Sequence, residues 1–280
     1  MRSRRARPFT GAPMPMTPLT SPPHDRGTRK LACSRCGLRE ICLPMGLSGA
    51  ELRRVDSDLV AHRSKVARGD FLFRQGDPVE AVYAVWTGFF RTRARSADRR
   101  EQVTGFQMGG ELIGLEAIGS SGFLADAVAL ENSQVCVIRF EALQALAREV
   151  PTLQQQVHRT MGREIARRQH LMLLLGGTQP DQRVAAFLLD LTQRMKARGY
   201  SASSLHLRMT RRDIGSLLGL TLETVSRSLS RLQAASLLVV RTRQIQITDA
   251  TRLAHLVERP PAEPARAATP RSARSRNIKT

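Results

Sequence analysis

The chain lacks any long apolar run. Its longest purely aliphatic stretches, such as Leu171–Leu175, fall far short of the ~20 residues that a bilayer-spanning helix needs, which argues against a helical membrane protein. The basic start, with Arg4 and Arg5, is followed by a segment broken by Pro13, Pro15, Pro18 and Pro22 instead of a continuous apolar stretch, so no secretory leader is expected there. Cysteine is scarce. Four cysteines in 280 residues are too few for the disulfide framework of a small secreted domain, so a soluble, cytoplasmic protein with a metal or redox site is expected. Histidines are few and dispersed: His62, His158, His170, His206 and His255 form no sequence cluster with acids or nucleophiles, and no enzyme is expected.

Acidic residues are also in short supply. Lys and Arg number 44 against 24 Asp and Glu, a net charge of +20. Residues 1–30 carry a net +6 and residues 260–280 a net +4, which leaves +10 on the interval between them. That remainder favours a polyanionic partner such as nucleic acid. The two ends, 1–30 and 259–280, are rich in Arg, Pro, Ser, Thr and Ala and poor in large apolar groups, so both read as disordered basic tails.

Between the tails the pattern changes twice. From Val60 to Phe140, short β-branched and aromatic stretches (Phe71–Phe73, Val82–Trp86, Val135–Ile138) alternate with turns at Gly69-Asp70, Gly76-Asp77-Pro78, Gly88 and Gly109-Gly110. This rhythm suits a jelly-roll or β-sandwich, and 31–150 is read as a cysteine-containing loop plus a β-barrel sensor domain. A short helix over Glu141–Glu149 and a longer one over 151–177 follow. In the longer helix Leu153, Val157, Met161, Glu164, Ile165, Arg168, Met172 and Leu175 recur at steps that place them on one face. Such a stripe packs either on its own domain or on a second copy. Its position between two domains favours a homodimer through Val157, Met161, Ile165, Arg168, Met172 and Leu175. Arg168 would bring like charges together across that dimer unless Glu164 accepts from it.

Residues 178–258 carry a helix from Asp181 to Lys196 with Val184, Phe187, Leu188 and Leu191 inward, then a bihelical unit. Thr210-Arg-Arg-Asp213 has capping-box character, Ile214, Leu217 and Leu218 supply a buried face, and Gly219 supplies a sharp turn. Thr221 caps the second helix and opens its DNA-facing end, while Val225, Leu229 and Leu232 point inward. Glu223, Ser226 and Arg227 then share one outward face, as the readers of a recognition helix do: Arg suits guanine, Glu suits cytosine and Ser adapts. Arg211, Arg212 and Arg231 suit phosphates. Leu237–Val240 and Ile245–Ile247 flank Arg241-Thr-Arg-Gln244 as a β-hairpin wing. The overall class is α+β.

Cys33-x2-Cys36-x5-Cys42 places three thiols on one loop, and Cys136 on a β-strand is available as a fourth ligand. Four cysteines serve an iron–sulfur cluster or tetrahedral zinc; three clustered ligands with one distant favour the cluster, while zinc and unrelated thiols stay open. The same thiols in a redox enzyme or electron carrier would leave the recognition helix without a purpose.

The stretches Cys33-SR-Cys36-GLREI-Cys42-LP, Ala129-LENSQVCVIRFE and MTRRDIGSLLGLTLETVSRSLSRLQ from Met209 resemble the FNR branch of the CRP/FNR regulators, over about Ala32 to Val257. The resemblance implies a jelly-roll sensor domain, a dimerisation helix and a winged helix-turn-helix. It implies that Cys33, Cys36, Cys42 and Cys136 bind an oxygen-labile [4Fe-4S] cluster whose assembly promotes dimerisation and DNA binding. It further implies that Glu223, Ser226 and Arg227 read TTGAT-like half-sites in an inverted repeat of double-stranded DNA, and that RNA polymerase is a partner. Gly110-Glu-Leu-Ile-Gly114 resembles the ribose-contacting turn of the cyclic-nucleotide branch, but Phe123-Leu124 stands where that branch needs an Arg-Ser pair. Both tails depart from the family pattern, as does Arg168, where the branch favours an acid.

Overall fold

The computed structural model describes residues 32–258 apart from 97 and 99, so the tails expected to be disordered lie outside the described residues. Cys33–Arg35 form a 3-10 turn, after which helix α1 spans Gly49–Asp58. The sequence reading passed over α1, yet its start is locally encoded: Ser48 and Glu51 form a reciprocal capping box, and Leu52, Val55 and Leu59 are buried.

Eight strands follow: β1 (Val60–Val66), β2 (Phe71–Phe73), β3 (Ala81–Thr87), β4 (Phe89–Arg95), β5 (Glu101–Met108), β6 (Leu112–Ile113), β7 (Asp126–Ala129) and β8 (Ser133–Arg139). They form two antiparallel four-stranded sheets, ordered β1-β8-β3-β6 and β2-β7-β4-β5, the expected jelly-roll. Phe73, Val85, Phe90, Ile113, Phe123 and Val135 fill the space between the sheets. The Phe73 and Phe123 rings stack there with centroids 3.7 Å apart.

Helix α2 (Phe140–Glu149) leads into α3, a single helix over Pro151–Gly177, with proline at the first turn where its missing N–H costs nothing. Helix α4 spans Pro180–Lys196, β9 Ser204–His206, α5 Arg211–Leu218 and α6 Leu222–Ala234. Strands β10 (Leu238–Arg241) and β11 (Gln244–Ile247) form the wing, and α7 spans Ala250–Glu258. Neither α7 nor β9, which extends the wing to three strands, was anticipated.

The two ends of the molecule share one apolar cluster: Phe89, Val103, Phe106 and Met108 of β4 and β5 pack with Val184, Phe187, Leu188 and Ile214. Polar links reinforce it. Arg91 on β4 pairs with Asp213 on α5, and the Val103 amide donates to Ser216 Oγ at 2.9 Å. No helix among the described residues is long and apolar enough to cross a membrane.

Candidate functional site

The cysteine segment is a string of tight turns. Cys36 N–H donates to Cys33 O at 3.1 Å, Cys42 N–H to Leu38 O at 2.9 Å and Met45 N–H to Cys42 O at 3.1 Å. Its start is moored to α1, where the Asp56 carboxylate accepts from both the amide and the hydroxyl of Ser34. Cys136 arrives on β8, in register with Arg63 of β1 on one side and Ala84 of β3 on the other. Together these elements bring Cys33, Cys36, Cys42 and Cys136 to the wall of one cavity, completed by Leu43, Leu59, Val85, Trp86 and Ile138.

All four are free thiols, half-buried. Burial pushes the Cys33 and Cys42 thiols up to about 12, and the neighbouring cysteines push the same way. Burial also raises Cys136, against a lowering hydrogen bond from Arg63. Cys33, Cys42 and Cys136 are therefore protonated at neutral pH, and a metal must displace their protons to bind. Among the described residues no three His, Cys, Asp or Glu side chains converge as a single metal ion requires.

The loop also borders two other elements of the fold. Cys33, Cys42 and Cys136 border the apolar cluster that takes in Leu153, Val157 and Met161 from the first half of α3. Leu38 and Ile41 lie against the β5–β6 turn: Gly110 has φ +84°, and a Cβ there would come within 2.9 Å of Ile41. The next residue, Glu111, accepts from Arg194 at 2.6 and 2.9 Å and from Arg198 at 2.8 Å, both on or just after α4. Burial alone would raise Glu111, but Arg194, Arg198 and Arg167 hold its carboxyl below the ordinary range. The residue that resembled a ribose contact thus binds α4, and Phe123, where a phosphate-binding arginine would stand, is buried in the aromatic stack.

The α3 stripe divides, a correction to the single face read from the sequence. Val157 and Met161 turn inward to the cluster beside the thiols, and Leu175 is half-buried near Gly219. Ile165 and Met172 are exposed, at 55% and 70%, and the sequence reading missed Leu173 at 74%. A helix this long passes two separate bodies, so one stripe serves different neighbours along its length. Arg168 Nε donates to Glu164 at 3.1 Å, the acceptor expected for it.

At the other end, Thr210 Oγ1 accepts from Asp213 N at 3.1 Å and Asp213 returns the bond, closing the capping box. Gly219 adopts φ 63°, which lets α5 and α6 meet at a sharp turn. Thr221 Oγ1 accepts from Thr224 N at 3.1 Å. Glu223 and Arg227 are exposed and Ser226 is half-buried. A bond from its own amide, then Thr221 and the charges of Arg227 and Arg212, hold the Glu223 carboxyl below its ordinary range at the helix N-terminus. Ser226 donates to Leu222 O and accepts from Arg211 at 3.1 Å, so the half-buried Arg211 is tied to one of the expected reader residues. Arg212 is exposed. Arg231, expected at phosphates, instead makes a two-point ion pair with Asp181 of α4. The wing turns through Thr242 at φ 54°, with Arg241 and Arg243 exposed.

Two family profiles match: a cyclic nucleotide-binding domain over residues 63–150 and a Crp-like helix-turn-helix domain over 182–256. The transcriptional regulatory protein btr of Bordetella pertussis is 41% identical over 80% of this chain and 93% of its own. The transcriptional activator protein anr of Pseudomonas aeruginosa is 39% identical over 80% of this chain and 91% of its own. The fumarate and nitrate reduction regulatory protein of Salmonella typhimurium is 38% identical over 80% and 89%. Among solved structures, FixK2 from Bradyrhizobium japonicum superposes with a TM-score of 0.65 at 33% identity, over 71% of this chain and 98% of that one.

Proposed function

The chain belongs to the CRP/FNR family of transcription regulators, and from that premise we propose that it is an anaerobic regulator, cytoplasmic and homodimeric. In this reading a [4Fe-4S] cluster on Cys33, Cys36, Cys42 and Cys136 permits its binding to DNA. The observation that carries this is the shared cavity: three thiols from a loop and one from a distant strand line the same apolar space. The donor set suits a cluster, which takes four cysteines and, being larger than one ion, does not need them to meet at one point. Zinc, the second reading, needs four sulfurs about 2.3 Å from one centre, a tighter convergence than a cluster asks of its ligands. When bound, the cluster would supply an oxygen-reactive centre.

The protein's own residues do the remainder. Leu43, Leu59, Val85 and Ile138 keep the cavity apolar. Val157 and Met161 join its neighbourhood to the base of α3, whose exposed Ile165, Met172 and Leu173 suit a second copy. Glu223, Ser226 and Arg227 are offered to base edges of a TTGAT-like inverted repeat, Arg212 to phosphate, and Thr221 holds the start of their helix. RNA polymerase contact follows from family membership.

Anoxic purification with iron, sulfide and absorption measurements tests the reading, alongside retention on a TTGAT inverted repeat. A brown protein that bleaches in air and binds the repeat only before bleaching is expected. A colourless, zinc-loaded protein with equal DNA binding in air and anoxia would refute the cluster.

A further inference from the structure

One cation is built into the thiol cavity. Arg63 on β1 stands opposite Cys136 on β8 in the strand register, so the two side chains share a sheet face. Its side chain lines the cavity beside Cys136, where its charge favours the thiolate, and lies over Trp86, with Cζ 3.7 Å from the ring centroid. Trp86 is itself part of the cavity wall. The Arg63 Nε is buried without an acceptor, a state that costs free energy until an acceptor arrives. Arg39, another cation on the wall, is exposed and paired with Glu40 at 2.8 Å, so its charge is already offset outside. Asp56, off the cavity wall, holds Ser34 beside Cys33.

We propose that Arg63 is a positioning residue for the cluster: stacked on Trp86, it fixes the Cys136 sulfur and offsets the negative charge of a four-thiolate centre. This rests on the cluster reading of the cavity. Four thiolates outweigh the positive charge of the core they hold, and net charge, hydrogen bonds to sulfur and burial set the potential and the hold on such a centre. A guanidinium is suited to the place because its face stacks on an aromatic ring while its edge still donates, which an ammonium cannot do. The unpartnered Nε leaves donor capacity in reserve for an anionic occupant.

The test uses the full chain with Arg63→Gln and Arg63→Lys, reconstituted in anoxia with ferrous iron and sulfide. Three quantities are read: iron and sulfide content, the rate of iron loss to a chelator without oxygen, and the reduction potential. Arg63→Gln is expected to lose iron about tenfold faster, the lower end for residues that support metal ligands, and to titrate at a lower potential. Arg63→Lys, which keeps the charge but not the stacked fork, should hold the potential nearer wild type while still losing iron faster. A merely structural role would change folding, read by circular dichroism of the metal-free protein, without moving the potential. If the Gln variant does not fold, wild-type iron loss in Arg63→Lys overturns the proposal. Wild-type protein that loads normally beside a Gln variant with the same loss rate and potential overturns the role of Arg63 alone. Wild-type protein that takes up no iron or sulfide overturns the cluster reading and this inference with it.

Discussion

Glu111→Gln is expected to loosen the DNA-reading half of the chain from the sensor half. The Glu111 carboxylate is 13% exposed and Arg194 and Arg198 are 10% and 6% exposed, so this is a buried set of charges. Glu111 also accepts from the Met108 amide at 3.1 Å, which anchors it to the turn. An amide in its place keeps one acceptor and turns an N–H pair toward a guanidinium. Removing one partner of a buried ion pair costs about 3–5 kcal/mol. Arg194 retains Asp190 at 3.2 Å and the Phe106 carbonyl, which places the cost at the lower end, about 3 kcal/mol. Against a total stability of about 5–15 kcal/mol that is a large fraction. Urea unfolding gives the magnitude, and hydrogen exchange across α4 locates it. The carboxyl sits below its ordinary 4.5, so the folded state gains from Glu111 above that value and loses the gain as pH falls through the depressed one. Variant and wild type should thus converge in acid. A difference under about 0.5 kcal/mol at neutral pH, the scale of ordinary surface changes, would refute the reasoning.

Arg227→Ala should weaken specific binding by about 1–3 kcal/mol, mainly at the base pair it reads, whereas Arg212→Ala should weaken all sequences alike and lower the salt slope by about one; fluorescence anisotropy across a salt series separates the two. Met172→Glu should leave the monomer's stability within about 0.5 kcal/mol, because its side chain is largely exposed; sedimentation velocity should show loss of the dimer, and an unchanged dimer would remove this face. Iron uptake by the metal-free protein should rise with pH, because burial lifts Cys33 and Cys42 to about 12 and their protons must leave; a pH-independent uptake rate in anoxia would contradict that.

Local chemistry made the helix-turn-helix legible. Thr210 with Asp213, Gly219 and Thr221 lie within a few residues of what they cap or turn, and each does in the fold what its spacing suggested. The capping box of α1, Ser48 with Glu51, is equally local and equally legible from its spacing. Non-local facts were out of reach. That Cys136 meets the loop depends on β8 lying between β1 and β3, and no periodicity encodes that order. Arg63 gave no signal for the same reason, because its meaning comes from a register partner and a ring on other strands. Arg231 looked like a phosphate contact because Asp181, its partner, lies on another helix. The split of the α3 stripe likewise depends on which bodies flank the helix.

The cysteine loop has two outlets, and this bears on how little energy the proposed switch needs. One outlet runs to α3, where the buried Gln156 donates to the Met45 carbonyl and Val157 and Met161 pack on the apolar cluster that the thiols also border. The other runs through Leu38 and Ile41 to the Gly110 turn and so to Glu111, Arg194 and Arg198. A ligand shifts a conformational equilibrium only by its differential affinity for the two states. In the proposed reading, order in the loop is what differs, so both the base of the dimer helix and the seat of α4 share that difference. The exposed α3 face is small, and Arg168 next to it places like charges near a twofold contact, eased by Glu164. In the proposed reading, each 1.4 kcal/mol gained at the loop and passed to this face is worth about tenfold in dimer. In that reading, fixing the four thiols shifts the population toward the dimer only by its differential affinity for the ordered loop.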